Sequence, residues 1–146
     1  MLDAAFNWLP GRVLPRERIV GDPAISHYIA DWPRPGDLGV VAEDGTGFPV
    51  GACWVRFFDA TDPGYGYVAD DVPEMTIGVV DGWRGLGIGR RLIRAVLVAA
   101  CERRIDRVSL SVEDGNPAKA LYGSEGFVFV ATVDGSHTMV ALTGHN

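Results

Sequence analysis

Apolar residues recur along the chain with two different periods, and the changes between these periods predict its helices and strands. Short apolar runs bounded by turn residues predict strands over residues 38–42, 50–58 and 74–80. From residue 87 to 103 the apolar positions lie three and four apart, which predicts a helix. A strand over 108–112, a short helix over 117–125 and strands over 127–133 and 138–142 follow.

The N-terminal part of the chain has weaker signals. Residues 1–8 look like the end of a helix that Pro10 and Gly11 close. A second helix is expected to begin at Asp22, as the N-cap, with Pro23 in the first helical position. Its apolar face is formed by Ile25, Tyr28, Ile29 and Trp32, which recur three and four positions apart, and Pro33 ends the helix.

The lengths of the connections predict how the strands pair. The strand, helix and strand between residues 74 and 112 should form a parallel pair with a right-handed crossover. The short connection between the strands at 38–42 and 50–58 favours an antiparallel pair, and Asp134 and Gly135 favour a hairpin between the last two strands. Residues 59–73 form a long loop. We therefore expect an α/β fold: a mixed, mostly antiparallel central sheet with helices on both faces, in a single domain over residues 1–146.

Composition narrows the class of protein further. The chain is 47% hydrophobic, yet no apolar run approaches the roughly 20 residues of a membrane-spanning helix. The start of the chain lacks the order of a secretory signal peptide, which favours a cytoplasmic protein without a membrane segment. Cys53 and Cys101 each lie in an apolar segment, so we expect two core residues and no metal site.

Charge is distributed unevenly along the chain. Seven of the 13 Lys and Arg residues lie between Arg84 and Arg107, although the net charge is −6. Residues 59–74 carry five acids and no basic residue, and the low pI argues against nucleic acid as a partner. This acidic segment is equally consistent with a solvated surface and with a site that attracts a cation.

The glycine-rich stretch over residues 83–92 carries the clearest chemical signal. Gly85, Gly87 and Gly89 occupy alternate positions directly before the predicted helix, with arginines at Arg84 and Arg90. Backbone N–H groups at a helix start, together with the helix dipole, form a site for an anion. The stretch therefore predicts the binding of a phosphate-bearing cofactor, although a turn without a ligand is the simpler alternative.

Spacing decides between the known phosphate-binding motifs. No Lys-Ser or Lys-Thr pair follows the glycines, as a P-loop would require, and Gly-x-Gly-x-Gly is not the dinucleotide-binding fingerprint. Arg84, Gly87 and Gly89 instead match Arg/Gln-x-x-Gly-x-Gly/Ala, and this stretch resembles the acyl-CoA site of the GNAT superfamily of N-acyltransferases.

A second motif runs from Asn116 to Phe127. Asn116, Pro117 and Gly126 could serve only as the N-cap, first residue and C-terminal residue of a short helix. The sequence also resembles the last GNAT motif, through these residues: Ala118, Leu121, Tyr122, Gly126 and Phe127. Asn116 stands one position closer to Tyr122 than in the commonest form of that motif. In that family the chain would also begin with a strand and a full helix, whereas this sequence starts near the end of that helix.

The resemblance implies an acetyl-CoA-dependent enzyme that acetylates a primary amine by direct transfer. It places the cofactor on the following residues: Ile77, Gly78, Val79, Arg84, Gly85, Leu86, Gly87, Ile88, Gly89, Arg90 and Asn116. It makes Tyr122 the general acid that protonates the departing thiolate. Glu74 would be the general base, although an exposed acid at a strand end is an equally good interpretation of this residue.

The sequence indicates only the chemical class of the amine that would accept the acetyl group. Tyr65 and Tyr67 lie among the acids of residues 59–74, with Trp54 and Phe57 shortly before, and this combination suits a small cationic amine or a peptide amine. A homodimer is left open. The alternative function is an acetyl-CoA-binding sensor, or a structural GNAT-like module without turnover.

Overall fold

A computed structural model describes residues 27–144 of the chain. This part contains a six-stranded sheet in the order β1-β2-β3-β4-β6-β5 and two helices. The strands are β1 Leu38–Glu43, β2 Pro49–Arg56, β3 Glu74–Val79, β4 Arg107–Glu113, β5 Val128–Val133 and β6 Ser136–Leu142. The helices are α1 Ile88–Glu102 and α2 Ala118–Ser124.

The pairing confirms the expected α/β fold with a mixed, mostly antiparallel sheet. Only β3 and β4 are parallel, and α1 forms the crossover between them. The other four pairs of neighbouring strands are antiparallel. Asp134 and Gly135 connect β5 to β6 with φ angles of 49° and 79°, the left-handed backbone that a tight hairpin requires.

Successive side chains of β2 point to opposite faces of the sheet. A side chain added at Gly51 would meet Leu92 and Ile88 of α1, so Gly51, Cys53 and Val55 face that helix. The core on this side contains Cys53, Val55, Met75, Leu92, Ile93, Val96, Ala100, Val108, Leu110 and Met139. The helix α2 reaches the same side, because Leu121 lies 3.4 Å from the position of a Cβ at Gly89.

Turns and a long loop cover the opposite face within the described residues. Arg56 is buried there and pairs with Asp37 at 2.6 Å. Its Nη1 also donates to the carbonyl oxygens of His27 and Ala30, at 2.9 and 2.7 Å. Segment 57–73, between β2 and β3, follows these turns and contains a single isolated bridge between Asp59 and Asp62.

The expectation of a helix up to Trp32 is wrong for its described residues. Residues 27–32 form turns, and Asp31 has a φ of 56°, which no right-handed helix allows. The carbonyl oxygen of His27, which a helix would pair with the N–H of Asp31, instead accepts a hydrogen bond from Arg56, as does that of Ala30. The start of this helix and the predicted helix over residues 1–8 lie outside the described residues.

Two classes of feature are absent from residues 27–144. None of the helices there is long and apolar enough to cross a membrane. No group of His, Cys, Asp and Glu side chains in this range has the arrangement of a metal site.

Candidate active site

The glycine turn before α1 has the geometry of an open helix start. Gly85 and Gly87 have φ angles of 77° and 81°, and Gly87 is the N-cap residue of the helix. No side chain caps the first turn, so its N–H groups are not occupied by a cap. A Cβ at Gly85 or Gly87 would meet nothing within 4 Å, so the backbone conformation, and not crowding, requires glycine here.

The arginines around this turn contact the protein itself. Arg84 Nε donates to the carbonyl oxygen of Val79 at 3.0 Å, and Nη1 lies 3.3 Å from Asp81. Arg90 pairs with Glu125 and donates to Ser124 Oγ at 3.1 Å. Arg90 therefore ties the start of α1 to the end of α2, a contact that the sequence analysis did not foresee.

The strand β3 has one open edge. Strand β3 pairs with β2 at six positions, whereas it pairs with β4 only between Glu74 and Ser109. Beyond that pair the two parallel strands diverge, so within residues 27–144 the edge of β3 that faces β4 is unpaired up to Val79. This stretch contains Ile77, Gly78 and Val79, the residues expected to hold the amide-like arm of the cofactor. An open edge of this kind can accept an extended ligand as an added strand.

Tyr122 lies buried in α2, beside this part of the sheet. Its ring packs against Phe127 with centroids 6.1 Å apart, and 8% of the residue is exposed. Burial, and to a smaller degree the nearby Cys53, raise the pKa of the Tyr122 phenol well above its ordinary value. The raised pKa keeps the hydroxyl protonated at neutral pH, and because it has no hydrogen-bond partner within residues 27–144 its proton is available for donation.

Asn116 serves mainly as a helix start. Its Oδ1 accepts a hydrogen bond from the N–H of Ala118 at 2.9 Å, and its carbonyl oxygen accepts one from Lys119 N at 3.1 Å. These contacts match the structural interpretation of Asn116 that its sequence position also allowed. They explain this residue without a cofactor contact.

Glu74 is buried and fully engaged by the protein. Only 3% of the residue is exposed, so the interpretation as an exposed strand-end acid is wrong. Oε2 accepts a hydrogen bond from the Tyr28 hydroxyl at 2.6 Å, and Oε1 accepts one from Gly66 N at 2.9 Å. Burial raises the pKa of Glu74 to about 7, against the lowering effect of these two hydrogen bonds. The carboxyl is therefore poised to exchange a proton near neutral pH.

The loop over residues 59–73 approaches the sheet at Glu74, as expected from its sequence position. Gly64 and Gly66 are both buried there, and the ring of Tyr65 between them lies stacked on Tyr28 with centroids 6.3 Å apart. Tyr65 is 48% exposed, while Asp70 and Asp71 lie on the surface. The loop is thus anchored by the buried Gly64 and Gly66, while its aromatic ring and its carboxylates are exposed to solvent.

Tyr28 and Glu125 are the residues of this region that sequence reasoning missed. Tyr28 is 46 positions from Glu74, and Glu125 is 35 positions from Arg90. The periodicity around Tyr28 marked it only as an apolar position of a helix. No local pattern identifies the partner of a residue at such a separation.

Comparisons with known proteins agree with this geometry. A model of the acetyltransferase (GNAT) family matches residues 6–127. No curated protein sequence is significantly similar to the chain.

Solved structures of acetyltransferases share the fold. The ribosomal-protein-alanine N-acetyltransferase from Brucella melitensis is 25% identical, with a TM-score of 0.66 over 96% of this chain and 88% of that one. A chimera of the spermidine N-acetyltransferase from Vibrio cholerae is 22% identical, with a TM-score of 0.58 over 81% and 72%. An N-acetyltransferase from Thermoplasma acidophilum in complex with coenzyme A is 15% identical, with a TM-score of 0.59 over 73% and 60%.

The residues present fit a coenzyme A derivative. An uncapped helix start beside an open strand edge provides N–H donors for a diphosphate and a backbone partner for an amide-like chain. Together with the family match over most of the chain, this identifies the chain as a member of the GNAT family of acetyltransferases, enzymes that take their acetyl group from acetyl-CoA.

Proposed function

We propose that this protein transfers the acetyl group of acetyl-CoA directly to the primary amine of a small cationic molecule or of a peptide. The observation that carries the proposal is the meeting of three features at one place. Gly89, two residues after the uncapped turn at Gly87, joins these features: its Cβ position lies 3.4 Å from Leu121, the neighbour of Tyr122 in α2, and 3.9 Å from Ile77 at the open edge of β3.

The diphosphate of acetyl-CoA would bind at the glycine turn. The N–H groups of Leu86, Ile88 and Gly89 are our candidates, with Gly85 and Gly87 shaping the backbone. Arg84 directly precedes this turn in the chain and would contribute a cation, and Arg90 would contribute from its position against Glu125. The backbone of Ile77, Gly78 and Val79 would hold the amide-like arm, and Asn116 would lie at the margin of this site.

Proton transfer is assigned to two buried groups. Acetyl-CoA supplies a thioester whose sulfur leaves as a thiolate, and the neutral phenol of Tyr122 would donate a proton to it. Glu74, with a pKa of about 7, would accept the proton of the amine. Because both oxygens of Glu74 already accept hydrogen bonds, that proton would pass through the Tyr28 hydroxyl, which donates to Oε2.

The acceptor class follows from the loop over residues 59–73. Asp70 and Asp71 are exposed in the same loop as the half-exposed ring of Tyr65, a combination that favours a cation through charge and cation–π contact. The names of two similar structures give spermidine and a ribosomal-protein alanine as the groups those enzymes acetylate. Both acceptors are amines, and a polyamine fits the acidic loop better.

Assembly and location are part of the same proposal. We place residues 1–146 in one domain and the protein in the cytoplasm, where the free thiols of Cys53 and Cys101 would stay reduced. A homodimer is supported by the edge strand β5, whose apolar residues Val128, Phe129 and Val130 are each at least half exposed. Sedimentation of the purified protein tests this assembly.

The test of the function is acetyl-CoA-dependent release of free thiol with a panel of amines. We expect turnover with spermidine or with a peptide that has a free N-terminus, and none with the corresponding compounds in which every amine is acetylated. Tight binding of acetyl-CoA without turnover on any amine would instead establish the sensor.

A further inference from the structure

The apex of the loop over residues 59–73 is fixed by two side chains that approach it from different parts of the fold. Glu74 Oε1 accepts a hydrogen bond from Gly66 N at 2.9 Å. The Tyr28 hydroxyl accepts one from Tyr65 N at 2.7 Å and donates its own proton to Glu74 Oε2 at 2.6 Å. Two consecutive backbone N–H groups of the loop, those of Tyr65 and Gly66, thus donate hydrogen bonds to the buried pair Tyr28 and Glu74.

The glycines on either side of Tyr65 allow this close approach. A Cβ at Gly64 would overlap Glu74 Oε1 and would lie 3.1 Å from the Tyr28 hydroxyl. A Cβ at Gly66 would lie 2.6 Å from the backbone carbon of Leu110, in β4. The apex is therefore held between a buried carboxyl and the next strand, with no space for a side chain at either glycine.

We propose that Glu74 and Tyr28 are positioning residues that hold the apex of this loop, residues 64–66, and thereby set where Tyr65 and the acids that follow it meet the amine. The contacts with Tyr28 and Gly66 exist without any substrate. The part of this inference that concerns the amine rests on the proposed function, whereas the part that concerns the loop does not.

Glu74→Ala, Glu74→Gln and Tyr28→Phe test the contacts through amide exchange of the free protein. Tyr28→Phe removes the acceptor of Tyr65 N, and we expect exchange of that amide to accelerate about tenfold, the equivalent of one hydrogen bond. Glu74→Ala should do the same for the Gly66 amide. In Glu74→Gln the amide oxygen can still accept from Gly66 N, so most of the protection should return.

Tyr67→Phe is the matched control, because the Tyr67 hydroxyl bonds to Asp70 within the same loop. It should leave exchange at Tyr65 and Gly66 unchanged. Exchange rates that stay at the wild-type value in both Tyr28→Phe and Glu74→Ala would overturn the proposal.

The two glycines provide an independent test. Gly64→Ala should destabilise the loop in the wild-type protein, and its effect should shrink in the Glu74→Ala background, where the overlapping oxygen is absent. Gly66→Ala meets the backbone of Leu110 and should cost the same in both backgrounds. Equal effects of Gly64→Ala with and without the carboxyl would count against the assigned contact.

Kinetics separate positioning from proton transfer, because a displaced loop raises KM for the amine, whereas loss of the proton path through Tyr28 lowers kcat. Tyr28→Phe should raise KM for spermidine about fivefold or more and leave KM for acetyl-CoA unchanged, since the glycine turn lies on other elements. An unchanged KM for spermidine together with faster exchange would refute the acceptor part alone. If no amine is a substrate, the proposed function fails while the exchange result still decides the role of the pair.

Discussion

Arg94 Nε donates a hydrogen bond to Glu125 Oε1 at 2.7 Å, joining the middle of α1 to the end of α2. Arg90 reaches the same carboxyl from the first turn of α1, and the Glu125 side chain is 6% exposed. The carbonyl oxygen of Tyr122 accepts hydrogen bonds from the N–H groups of Glu125 and Phe127. The end of the helix that carries Tyr122 is therefore attached to the helix that begins at the glycine turn.

Glu125→Gln should loosen this attachment. Because both arginine side chains are partly exposed, at 41% and 64%, we expect a loss of about 1 kcal/mol in the free energy of unfolding, smaller at high salt. Urea unfolding at low and high salt measures the effect. Glu102→Gln, an exposed carboxyl at the end of α1, is the control that should change neither value.

Gly87→Glu should strongly weaken the binding of acetyl-CoA. A carboxylate at the helix start would repel the diphosphate, and we expect affinity to fall on the order of 100-fold, as for the loss of two charge-assisted hydrogen bonds. Titration calorimetry measures the affinity. Gly47→Glu carries the same charge at a similar left-handed backbone position, φ 87°, in the turn between β1 and β2. If Gly87→Glu and Gly47→Glu bind acetyl-CoA with equal affinity, the diphosphate does not bind at the glycine turn.

Tyr122→Phe should reduce kcat and leave the affinity for acetyl-CoA almost unchanged. The phenol is the donor for the thiolate, and loss of a positioned acid lowers the rate about 100-fold or more. The buried ring keeps its packing against Phe127, so the variant should fold normally. Normal turnover would leave Tyr122 with a packing role only.

Stability should depend on pH through Glu74. A carboxyl whose folded pKa of about 7 lies above its unfolded value of 4.5 binds more protons in the folded state, so stability falls as pH rises between these values. Relative to wild type, Glu74→Gln should therefore become more stable by about 3 kcal/mol between pH 4 and pH 8. Unfolding in urea across this range tests the sign. A difference between the two proteins that stays constant with pH would contradict the buried, protonated carboxyl.

Replacement of Asp70 and Asp71 with Asn should raise KM for a cationic amine, more strongly at low salt, and leave KM for acetyl-CoA unchanged. Removing two exposed negative charges lowers the local concentration of the cation. The charge-matched control replaces Asp106 and Asp134, both exposed and outside the loop. Equal KM values for the two double variants would show that the loop is only a solvated surface.

The sequence by itself determined the order and type of the elements from β1 to β6. Period-two and period-3.6 apolar patterns are local, and the glycine turn and the hairpin at Asp134 and Gly135 depend on backbone angles that neighbouring residues set. Where longer-range contacts compete, the local pattern fails. Residues 27–32 show helical spacing but form turns, and two of their carbonyl oxygens accept hydrogen bonds from Arg56.

Only the tertiary structure decided the surroundings of the chemical groups. The sequence left Glu74 balanced between a base and an exposed acid, and burial under Tyr28 and Gly66 removed the second alternative. The divergence of β3 from β4 and the pairing of Arg90 with Glu125 were equally invisible. A residue's burial and partner depend on which distant segments the fold brings together, and local periodicity carries no information on that choice.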